Sequence, residues 1–113
     1  MISKKRFKVP IYNFIIDVCI FDKLEECKGL IPDEELTKPF LGLTCSNSGG
    51  YIIVCIDSKS KSTVIHEVEH IKNEIWCNIG YTPQINNDEP DAYLVTFLYD
   101  KIIQIFNKHI SSI

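Results

Sequence analysis

Residues 63–79, TVIHEVEHIKNEIWCNI, constrain the fold most. Val64, Val68, Ile71, Ile75 and Ile79 recur at intervals of four, three, four and four. That is the spacing of one apolar stripe on an α-helix. Gly80 follows and suits the left-handed residue that ends a helix. A helix with one apolar face has to bury that face against another layer. The sequence upstream supplies β-branched and aromatic runs for that layer, and the sequence downstream supplies a second helix.

The run KVPIYNFIIDVCIF, residues 8–21, reads as one long strand. Asp22 to Leu30 reads as a short helix with Asp22 at its N-cap, and residues 32–38 as a polar connection. Two apolar runs, residues 40–45 and 51–57, flank Ser46-Asn47-Ser48-Gly49-Gly50. This linker accepts positive φ, so the runs are expected to pair as an antiparallel hairpin. A second long helix is expected from Asn86 or Asn87 to about Asn107, with Ala92, Val95, Leu98, Ile102, Ile105 and Phe106 on its buried stripe. The expected architecture is α+β: a small sheet of about three strands packed on two long antiparallel helices, in a single domain spanning residues 1–113.

Composition narrows the function. The net charge is −3, and no basic stretch is interleaved with aromatics, which argues against nucleic acid or an anionic membrane as partner. Lys4-Lys5-Arg6 reads as a solvated chain end. No segment approaches the roughly 20 apolar residues of a membrane span, and the first ten residues lack the pattern of a secretory signal. The five cysteines form no CxxC pair and read as reduced thiols, so a cytoplasmic location is expected.

The chemistry lies in His66-Glu67-Val68-Glu69-His70. Histidines four apart share a helix face and can both direct a ring nitrogen at one metal ion. Zinc takes neutral imidazole well. A carboxylate one position past the first histidine can take a proton from water acidified by the metal, which is the peptidase logic of H-E-x-x-H. The alternative is a charged helix face that spells the motif by accident.

A catalytic zinc has three protein ligands as a rule. His109 sits near the chain end and reads as a surface or end-capping residue. Glu89 is the better candidate. The gap after His70 holds the end of one helix, a reversal and the start of the next, and antiparallel helices bring facing residues together. The alternative reading makes Asp88, Glu89 and Asp91 a carboxylate cluster suited to a helix N-terminus.

With HEVEH, the stretch Asn87-Asp88-Glu89-Pro90-Asp91-Ala92-Tyr93 resembles the gluzincins, the thermolysin-type zincins whose third ligand is a glutamate on the next helix. It is most similar to minimal single-domain versions, including small zincin-like proteins encoded by bacteriophages. The resemblance covers Thr63 to about Leu98. It implies a zincin-like fold, zinc on His66, His70 and Glu89, Glu67 as general base, and a peptide or protein substrate. A phage-encoded zincin would work in the host cytoplasm or the virion. The thermolysin pattern places an aspartate four residues after the glutamate; here that residue is Tyr93. Tyr93 reads first as a buried core tyrosine, and it is also a candidate for oxyanion stabilisation. An extended substrate would lie along an exposed sheet edge, for which residues 40–45 are the candidate. The competing function is a zincin fold kept as a catalytically inactive binding or structural module, such as a phage accessory or virion-associated protein.

Overall fold

The computed structural model describes residues 2–47 and 49–112, so Ser48 of the expected turn lies outside the described residues. The chain is α+β. Strands β1 (Ser3–Val9), β2 (Phe14–Phe21), β3 (Gly42–Ser46) and β4 (Tyr51–Asp57) precede helices α1 (Thr63–Ile79) and α2 (Glu89–Ser111). Two short 3-10 turns, Leu24–Cys27 and Asp33–Thr37, replace the expected short helix and part of the polar connection.

Four strands form the sheet where about three were expected, in the order β1-β2-β4-β3. The single expected strand over residues 8–21 is two strands joined by a tight reversal. Ile11 and Asn13 both take positive φ there, 69° and 64°. Asparagine tolerates that region, whereas for β-branched Ile11 it is an outlier. Lys4-Lys5-Arg6, read as a solvated end, belongs to β1 instead. β1–β2 and β3–β4 pair antiparallel, the latter as expected, and β2–β4 pair in parallel.

Alternation along the strands builds two cores. Ile16, Val18 and Ile20 of β2 share one face with Ile52, Val54 and Ile56 of β4. That face meets Val64, Val68, Ile71 and Ile75 of α1 and Leu94, Leu98, Ile102 and Phe106 of α2. Cys19, Phe21, Ile53 and Cys55 share the other face with Cys27 of the first 3-10 turn and Ile31, which follows it. The helix stripes hold with small corrections. Ile79 is half exposed, Ala92 is exposed, and Leu94 takes a buried place. Gly80 ends α1 at φ 75°, as expected. His109 is not a surface residue: it is buried, with Nδ1 at 2.6 Å from Ser3 Oγ and Nε2 at 2.9 Å from Asp22 Oδ1. Among the described residues no helix is long and apolar enough to cross a membrane.

Asp17 is the polar exception within β2. Its buried carboxylate accepts both Nε and a terminal nitrogen of Arg6, at 2.8 and 3.0 Å, and the Tyr51 hydroxyl at 2.6 Å. The Arg6 hydrogen bonds hold the carboxyl below the usual aspartate range against the opposing effect of burial. Burial and the bond to Asp17 push the Tyr51 hydroxyl up to about 12, so it stays a donor. A depressed folded-state pKa gives stability that is present above the ordinary value of about 3.9 and lost as pH falls through the folded value. Urea midpoints of the parent should therefore drop between about pH 6 and about pH 3 more than those of Asp17→Asn. Equal drops in the two proteins would remove Asp17 as a source of acid sensitivity.

Candidate metal centre

Helix α1 sets the angular positions of the site. At about 100° per residue, His66 and His70 sit about 40° apart around the axis, away from the buried stripe. Glu67 falls between the histidines and that stripe. The consequence is a sharp difference in environment: the His66 side chain is 69% exposed and that of Glu67 only 3%. The two Nε2 atoms lie 3.2 Å apart. Two nitrogen ligands on a tetrahedral zinc, each at about 2.0–2.1 Å, stand about 3.3–3.4 Å from one another. The histidine pair thus fits the bite of one ion. His66, Glu67 and His70 each offer a ligand atom within 4.8 Å of the others.

Strand β3 closes the other side. It lies at the sheet edge beside α1, and its alternate residues Gly42, Thr44 and Ser46 meet the helix. Thr44 Oγ1 donates to Glu67 Oε1 at 2.7 Å, and Ser46 Oγ donates to Glu74 Oε2 at 2.8 Å. With Oε1 held by Thr44, Oε2 stands 4.0 Å from His66 Nε2. An open cleft of about 290 Å³ runs between strand and helix, lined by Gly42, Thr44, His66, Glu67, His70 and Glu74 among others. The sequence offers residues 40–45 as a substrate edge but does not single out Gly42, Thr44 or Ser46, nor their contact with α1. Their one local signal is a period-two row of small residues, GLTCS, which carries meaning only once β3 is known to lie beside α1.

Glu89 and Tyr93 are placed differently. Glu89 is the first residue of α2, exposed, and it stands outside the cluster of His66, Glu67 and His70. Tyr93 is 72% exposed, so it is not a core tyrosine. The reason lies two residues past Glu89. Asp91 accepts Trp76 Nε1 at 2.7 Å and Lys72 Nζ at 3.3 Å. Lys72 also donates to Glu69 at 2.8 Å. Lys72 and Trp76 lie about a third of a turn around α1 from the histidine pair. These bonds clip the first turn of α2 to that side. Compared with protein-family models, curated proteins and solved structures, the chain matches none. The zincin resemblance therefore rests on the motif residues alone.

Proposed function

We propose that the chain is a zinc-dependent metallopeptidase of the host cytoplasm or virion, with His66 and His70 as the primary ligands. The observation that carries this reading is the buried Glu67, clamped by Thr44 with its second oxygen turned toward the paired imidazoles. A helix face that matched the motif by accident has no need to bury its glutamate, because taking a carboxylate out of water is costly even with one hydroxyl bonded to it. His66 and His70 would hold the zinc, which would supply Lewis acidity toward water and a peptide carbonyl. Glu67 Oε2 takes the proton of the attacking water and returns it to the leaving amine. Among the described residues nothing pairs with the outer edge of β3, and an extended peptide added there would bring a carbonyl beside the cleft.

The second reading is a zincin fold serving as a binding or structural module without catalysis. The exposed position of Glu89, outside the cluster, favours it. Metal content by mass spectrometry addresses the ligands directly. The parent is expected to hold one zinc per chain, and His66→Ala none. Zinc kept in Glu89→Ala would make the imidazole pair sufficient; zinc lost there would bring Glu89 into the site. A parent without zinc, even after zinc is supplied, would end the peptidase proposal.

A further inference from the structure

The opposite edge of the sheet carries a second surface with a different chemistry. β1 is an edge strand, and among the described residues nothing pairs with its outer side. Its helix-facing residues Ser3, Lys5 and Phe7 run beside the C-terminal half of α2. Together they enclose an open groove of about 470 Å³. Phe7 and Ile105 give it an apolar floor, while Lys5, Lys101 and Lys108 stand exposed around it. Phe7 packs edge-on to Phe97, and Lys101 Nζ lies 5.8 Å from the Phe97 ring. Buried His109 closes one end, its ring fixed from both sides by Ser3 and Asp22.

The groove gathers positive charge on an acidic chain, whose net charge is −3. Among the described residues Lys5, Lys101 and Lys108 have no carboxylate within ion-pair reach, and no carboxylate lines the groove. Unpaired lysines occur elsewhere among the described residues, at Lys8, Lys23, Lys28, Lys38 and Lys61, but in this groove three of them line one apolar cleft. Lysines on an edge strand are a common guard against sheet-to-sheet aggregation. A guard explains Lys4 and Lys8, which flank the edge. It does not explain why two lysines of α2 join Lys5 around an apolar floor. The helix-facing stretch from Ser3 to Phe7 is about 13 Å long, the length of a short strand.

We propose that β1 and the C-terminal half of α2 form a docking groove for an extended acidic peptide segment. The segment adds to the free edge of the sheet, sets its carboxylates among Lys5, Lys101 and Lys108, and lays alternate apolar side chains on Phe7 and Ile105. The groove lies across the sheet from the histidine pair and does not depend on the peptidase reading.

The test uses the full chain and a fluorescein-labelled peptide of alternating glutamate and valine, about eight residues long. Anisotropy is expected to show saturable binding that weakens as salt is raised. Lys101→Glu with Lys108→Glu is expected to weaken it at least about tenfold, and Lys61→Glu, on a different surface, to change it less than about twofold. Amide chemical shifts of the parent provide a readout that needs no variant. They should move at Ser3, Lys5 and Phe7 and stay still at Gly42–Ser46. Absent binding, equal loss in the Lys61 variant, shifts confined to β3, or tighter binding of a single-stranded oligonucleotide would each overturn the proposal.

Discussion

Glu67→Gln protein is expected to keep its zinc and its fold while peptide hydrolysis falls by about a hundredfold to ten-thousandfold, the usual contribution of a positioned general base. The substitution suits the site because glutamine retains an oxygen to accept the Thr44 hydroxyl, now at 2.7 Å from Glu67 Oε1. It removes only the charge and the basicity. A buried carboxylate costs desolvation free energy, and Glu67 is nearly inaccessible to solvent. The urea midpoint should therefore stay level or rise while turnover collapses. Stability and activity moving in opposite directions would identify a group kept for chemistry at the expense of the fold. Two other results would carry different meanings. Zinc lost along with activity would make Glu67 a ligand, consistent with its place in the three-residue cluster. Cleavage that survives the substitution, measured by mass spectrometry on a mixed peptide digest, would remove Glu67 from the mechanism.

How much of this was legible in the sequence follows from the range of each interaction. The limits of α1 were readable because its stripe and Gly80 are local signals, and both hold in the structure. The β3–β4 hairpin was readable for the same reason, since apolar runs flank a turn-forming linker. The β1–β2 reversal was not. Pro10 to Asn13 lies between apolar stretches, and Ile11 takes a backbone conformation its side chain disfavours. The histidine pair with Glu67 was legible as a helix face, yet its burial pattern was not. The Thr44 contact joins residues 23 apart in sequence. Glu89 shows the limit most clearly. Chain spacing allows the second helix to arrive on either flank of the first. The choice is fixed by Asp91 bonding Trp76 and Lys72, a tertiary pairing with no local signature. His109 failed similarly, because its partners Ser3 and Asp22 come from the far end of the chain.

Gly42→Ala tests the seam that shapes the cleft, and its effect should be large on both stability and chemistry. A Cβ at this position would collide with Thr63 Cγ2 and stand 2.7 Å from Glu67 Oε2 and 2.8 Å from Glu67 Cγ. None of these approaches is tolerable, and Thr63 is β-branched with little freedom to turn aside. Either α1 withdraws from β3 or Glu67 is pushed from its place. Overpacking of this kind costs about 1–3 kcal/mol. The chemical consequence goes further, because the displaced group is the proposed base, and a shift of about 1 Å can cost about a hundredfold in rate. The double variant Gly42→Ala with Thr63→Ser separates the two effects. Serine keeps the hydroxyl that lies 2.6 Å from Ser60 Oγ and removes the methyl nearest the added Cβ. Stability should return in part, while the collision with Glu67 persists and turnover stays low. Full recovery of both in the double variant would show that the glycine merely makes room for the Thr63 methyl. A single variant as stable and as active as the parent would mean that strand and helix can separate without consequence, leaving the Thr44 clamp on Glu67 without a role.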